Sequence, residues 1–139
     1  MIQAQNASFS QLVSSQSVTQ GATASANFDM VGNDYVTLIF NKGANTNATA
    51  GACTISVLSS DNTNATTFAT VAANVTQGSS AAVHICHVDW KAQKRYGRVT
   101  FTPGTSTGDA VSIGVTAMLT RKEANPSTNS GIATGAVIA

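Results

Sequence analysis

The chain has 139 residues and a formal net charge of +1, from seven Lys or Arg and six Asp or Glu. Charged residues make up 9% of it, against about a quarter in an ordinary soluble domain. That balance argues against nucleic acid as a main partner, which calls for many cations on one face, and no stretch approaches the ~20 apolar residues of a membrane span.

One domain is the simplest reading of this length, with roughly two thirds of the unfolded surface buried on folding. β-Branched residues and turn formers dominate, while Glu, Lys and Leu are scarce, which favours an all-β fold. Thr, Ser, Asn, Gln and Ala stand where ions usually would. Hydroxyls and amides cost less to desolvate than charges, so such a surface suits a structural, assembling protein and not an enzyme. The opening Met-Ile-Gln-Ala-Gln-Asn-Ala-Ser has neither the basic start nor the apolar centre of a secretion signal, which predicts folding in a cytoplasm. In that reducing setting Cys53 and Cys86 are expected as small buried thiols. Chance accounts for the Asn-x-Ser/Thr sequons at Asn6, Asn47, Asn64 and Asn74.

Residues 1–20 read as an N-terminal arm that becomes a first strand, anchored by Phe9, Leu12, Val13 and Val18. The core is expected over 21–123. Ala24, Ala26 and Phe28 alternate weakly with polar neighbours, and Val31-Gly32-Asn33-Asp34 is a turn. Tyr35–Phe40 is the strongest strand, followed by a polar loop to Gly51. Cys53, Ile55 and Val57 mark a half-buried strand; Ser59–Thr67 is a second polar loop, and Phe68–Val75 a short strand. After a turn at Gln77–Ser80, Val83, Ile85 and His87 alternate with His84, Cys86 and Val88. Val99 and Phe101 follow a basic run, and Val111–Thr120 alternates cleanly over its whole length. About eight strands separated by turn signals predict a jelly-roll-like β-sandwich with extended N- and C-terminal arms. Residues 124–139, rich in Gly, Ser, Thr and Ala, are expected to form a flexible tail ready to order on a neighbour.

Candidate chemistry is thin, and no cofactor is expected. His84, Cys86 and His87 are close in sequence, but on a strand His87 faces away from the other two, and no Cys-x-x-Cys spacing exists. Nothing marks an activated thiolate beside either histidine. Asp34, Asp61 and Asp109 sit beside Asn or Gly, where Asp commonly supports a turn, and no calcium-loop spacing appears.

The run Lys91-Ala92-Gln93-Lys94-Arg95-Tyr96-Gly97-Arg98 holds four of the seven cations. It reads either as a solvated strand entry whose Lys stems cover apolar neighbours, or as a charge-assisted contact with an acidic patch on a partner. Nucleic acid is the weakest reading. Aromatics with Arg dominate interface energies, so Trp90, Lys91, Lys94, Arg95, Tyr96 and Arg98 form the candidate partner interface.

The segment Asp89–Val99 resembles a recurring element of small bacteriophage virion proteins, in which an Asp-rich strand end leads to a basic run with Tyr and then Val. Asp34-Tyr35-Val36-Thr37-Leu38, Ser59-Ser60-Asp61-Asn62-Thr63 with Phe68, and the closing Arg121-Lys122-Glu123-Ala124 are similar to the same group, over roughly residues 28–124. Ala92-Gln93 and Gly97 depart from its pattern. The resemblance implies a capsid decoration (cement) protein, made in the host cytoplasm and bound to the outer capsid surface of the virion. It implies the major capsid protein as partner and a homotrimer as oligomer. A tail or head-fibre adhesin that binds carbohydrate is the alternative. Removing residues 1–15 or 124–139 is expected to weaken attachment while the β-core survives.

Overall fold

Alternation of apolar and small polar residues sets out the strands of the computed structural model, which describes residues 7–47, 53–76, 80–104, 108–120 and 136–138. In chain order they are β1 (Ala7–Thr19), β2 (Ala24–Asp29), β3 (Tyr35–Asn45), β4 (Cys53–Ser60), β5 (Ala69–Thr76), β6 (Ala82–Asp89), β7 (Tyr96–Thr102), β8 (Ala110–Thr120) and β9 (Ala136–Ile138). A 3-10 turn, Ala65–Thr67, precedes β5 and is capped by Asn64, whose side chain accepts from the Thr66 N–H.

The first four strands pair with the next four in reverse: β1 with β8, β2 with β7, β3 with β6 and β4 with β5, all antiparallel. This doubled ribbon folds over on itself, so β3 also pairs with β8 and β4 with β7. Two sheets result, β1-β8-β3-β6-β9 and β2-β7-β4-β5. That order is a jelly roll, and the all-β sandwich expected from the sequence is the fold observed.

The core lies between the sheets. Val36, Leu38, Phe40, Cys86, Val88, Val111, Ile113, Val115 and Ala117 come from one sheet, and Phe28, Ile55, Val57, Val99 and Phe101 from the other. Each large side chain so buried stabilises the fold by about 1.5–3 kcal/mol. At the Met30–Asn33 turn, Gly32 adopts φ +76, which a side chain would disfavour, and the Asn33 N–H closes the turn onto the Met30 carbonyl.

Three features differ from the sequence reading. β1 follows β8 from Ala7 to Thr19, with register shifts between Gln11 and Val13 and between Val13 and Gln16. The second shift inserts one extra residue, which brings Val13 and Val18, five apart, to the same buried face. Deleting residues 1–15 would therefore strip most of a sheet strand and uncover β8, so that truncation does not spare the core. β3 continues past Phe40 to Asn45 because Lys42 points inward, where its Nζ donates to the Gly43 and Ser80 carbonyls at 3.1 and 3.0 Å. Of the expected tail, residues 124–135 and Ala139 lie outside the described residues, while Ala136–Ile138 run parallel to β6 as β9.

Candidate interaction surface

The strand registers bring distant segments to one end of the sandwich. Tyr96 is level with Asp29 and with Ser60, and Tyr35 is level with Asp89 and with Thr120. Backbone bonds lace this end: the Trp90 N–H donates to the Asp34 carbonyl, the Asp34 N–H to Thr120, and the Met30 N–H to Arg95. The basic run turns across it.

Trp90 fixes that turn from below. Its ring is 3% exposed and meets Phe28 edge-on, with centroids 5.3 Å apart, and its Nε1–H donates to the Lys94 carbonyl. The Phe28 ring in turn lies where a Cβ on Gly97 would be, so glycine is required at this position by close approach and not by φ. Gln93, one of the departures from the virion-protein pattern, accepts from the Ser59 hydroxyl at 3.3 Å and ties the turn to β4. Trp90 is thus part of the core and gives no surface to a partner, which corrects its place in the expected interface.

The other members of that interface are brought together, and their charges are answered within the chain. Lys94 pairs with Asp61 at 2.7 Å and Lys91 with Asp89 at 3.8 Å. Arg95 grips Asp29 with two donors, Nε at 3.1 Å from Oδ1 and Nη2 at 2.7 Å from Oδ2, and also stacks over Tyr96. These Arg95 hydrogen bonds, helped by the Val31 N–H, hold the Asp29 carboxyl below its ordinary value. The Arg98 Nε donates to the Asn27 side-chain oxygen Oδ1 at 2.7 Å, and its guanidinium lies over Phe68. The basic run is therefore a clamp across β2, the β4–β5 loop and the β6–β7 loop. Sequence reasoning missed Asn27, Asp29 and Asp61 as its partners, because a separation such as 66 residues between Asp29 and Arg95 leaves no local signal, and it missed Asp89 although that residue is only two positions from Lys91.

Exposed charge is confined accordingly. Among the described residues Asp29, Asp34, Asp61, Asp89, Lys91, Lys94, Arg95 and Arg98 all lie at this end, while Lys42 and Asp109 are each 2% exposed elsewhere. The outer face of the five-stranded sheet carries rows without formal charge: Phe9, Met118, Thr37 and His87 are level across it, as are Gln11, Thr116, Ile39 and Ile85. Phe9 is 61% and Val83 53% exposed. On this face a groove of about 380 Å³ is lined by Gln11, Ser15, Ile39, Asn41, Gly43 and Gly114. On the opposite sheet Ser25, Thr100 and Ser56 are level, and so are Thr102 and Thr54.

Other candidate chemistry is not assembled. Burial pushes the Cys86 thiol up to about 12, which keeps it protonated, and both cysteines are buried thiols. Among the described residues no three His, Cys, Asp or Glu side chains converge as a metal site would require. Asp109 serves structure: its carboxylate accepts from the Asn45 side-chain amide at 2.8 Å and the Asn47 N–H at 3.3 Å, tying the segment after β3 to the start of β8. His87 accepts or donates a 2.8 Å bond with Thr37 on the outer face, and burial lowers its pKa.

No protein-family model matches the chain, and no curated protein matches it.

Proposed function

We propose that this chain is a structural subunit of a bacteriophage virion: a decoration (cement) protein that sits on the outer capsid surface as an oligomer, with three copies expected, and bridges neighbouring copies of the major capsid protein. The observation that carries this reading is the placement of charge. Among the described residues, exposed ions gather toward one end of the sandwich, where Lys91, Lys94 and Arg95 pair with carboxylates and Arg98 bonds Asn27, while the outer faces beyond that end present hydroxyls, amides and isolated apolar side chains. Protein can cover such faces without stripping water from ions. The order of short sequence blocks shared with small virion proteins supports the reading. The jelly roll, which serves both viral capsid proteins and lectins, is compatible with it by analogy of fold alone.

Bracing is then mechanical. Each contact is modest, but many identical contacts repeated over a closed shell act together through multivalency. With the four cations of the basic run already partnered, the contact falls to the uncharged faces in place of an acidic patch reached by the run.

The test mixes purified chain with capsids of the parent phage lacking it, and follows sedimentation together with the native mass of the free chain. Saturable co-sedimentation, an oligomeric free chain and capsids that rupture at higher temperature are expected. A monomer that stays in the supernatant overturns the proposal, and glycan-array binding without capsid association would assign the chain to a tail or head-fibre adhesin instead.

A further inference from the structure

The outer edge of β6 is completed by three residues delivered from far along the chain. Ile85, Cys86 and His87 are level with Ala136, Val137 and Ile138 of β9, in parallel. An open edge of this kind is a template for added strands. Parallel pairing is the weaker kind per residue, and three residues supply few ladder bonds, so this pair opens more readily than the long antiparallel pairs beside it.

The connection decides which strand can fill the edge. β8 ends at Thr120, level with Tyr35 and hence with Asp89, and β9 begins level with Ile85, across the positions of β3 and β6. Three strand spacings sideways and four residues along the strand put these points roughly 20 Å apart. Residues 121–135 join them, and a segment of about 15 residues can reach roughly 50 Å. A globule of this size is roughly 35–40 Å across. The chain between β8 and β9 is therefore more than twice as long as the return to its own edge demands, and long enough to reach the same edge on an adjoining copy. The acceptor makes no charge demand: Ile85, Cys86 and His87 are flanked on the strand by His84 and Val88.

We propose that the outer edge of β6 is an exchangeable strand-acceptor site, and that it takes the Ala136–Ile138 strand of a second copy of this chain when copies adjoin. The proposal rests on the oligomeric reading above. Each copy gives one strand and receives one, so the exchange links neighbours without any surface beyond the one the monomer already uses.

The full chain carrying Ile85→Cys and Ala136→Cys tests this. Level residues on adjoining strands lie within the Cα separation a disulfide needs, and the native thiols are buried. The full chain carrying Ile39→Cys and Thr116→Cys, level across β3 and β8, controls for oxidation within the same sheet. Equal amounts of light and isotopically heavy chain are mixed, oxidised and read by non-reducing gel and intact mass. Covalent species joining light to heavy chains are expected in the proportion of random pairing, while the control pair cross-links within one chain. If the 85–136 disulfide stays within single chains although the unmodified protein is oligomeric, exchange is refuted and the assembly reading survives. If no 85–136 disulfide forms while the control oxidises, the acceptor site itself is refuted. Failure of the assembly reading shows separately, in an unmodified chain that is monomeric and ignores capsids.

Discussion

At the scale of single residues, the position most tightly constrained by its surroundings is Gly97. Its Cβ, were there one, would overlap the Phe28 ring, and that ring cannot swing aside freely because Trp90 packs against it edge-on. Gly97→Ala is expected to lower stability by about 1–3 kcal/mol, as overpacking of a filled core does. The measurement is a urea titration whose midpoint falls without a change in slope. Phe28→Leu in the same chain should recover part of the loss, since contacting residues are not additive; equal losses for the single and double variants would refute the contact. The identity of Gly97 is plain in the sequence, but its reason is not, because Phe28 lies on another strand and nothing in the spacing joins the two. Trp90 shows the same limit. An aromatic beside a basic run reads as an exposed anchor until the registers of β2, β6 and β7 place it under the turn.

At the scale of elements, alternation makes β3, β4 and β8 legible, because each buries one face and leaves the other half-buried or exposed throughout its central part. β1 is harder to read: register shifts break its period, and the one between Val13 and Gln16 puts Val13 and Val18, which a simple strand pattern places on opposite faces, on the same face. The far half of β3 reads as loop in the sequence because Lys42 and Asn45, polar residues, take inward positions. Lys42 is satisfied there by carbonyls, and Asn45 by Asp109, although the Asn45 Oδ1 finds no partner. The Asp109 carboxylate is the acceptor on which this polar corner depends. Asp109→Ala would leave the Asn45 amide and the Asn47 N–H without it, at an expected cost of about 1–3 kcal/mol. Hydrogen exchange should quicken first at the Asn47 amide, while the Met30 and Trp90 amides, bonded to the Arg95 and Asp34 carbonyls at the opposite end, keep their protection. Uniform loss of protection would mean that the corner is no separate unit.

At the scale of the whole molecule, the sparse charge visible in the sequence acquires a direction. The sequence shows how few ions there are; only the fold shows that those exposed among the described residues share one end and leave the outer face of the five-stranded sheet without them beyond that end. Thr116 sits centrally on the outer face of the five-stranded sheet, level with Gln11 and Ile39 and lining the groove. Thr116→Lys adds a cation that water can still reach in the free chain, so folding stability should move by no more than about 0.5 kcal/mol. Under a covering partner the same ammonium would lose its water without a counter-ion, a cost of several kcal/mol, and capsid retention should fall by at least about tenfold for each 1.4 kcal/mol of that cost. Lys94→Ala provides the contrast. It breaks an exposed pair with Asp61 worth at most about 1 kcal/mol, and it removes charge from the end where charge is already balanced, so retention should stay within about twofold. Co-sedimentation of both variants with capsids, beside thermal midpoints to confirm folding, reads the comparison directly. Loss of binding by Lys94→Ala with full binding by Thr116→Lys would move the contact from the bare sheet to the clamped end and overturn the assignment of the faces.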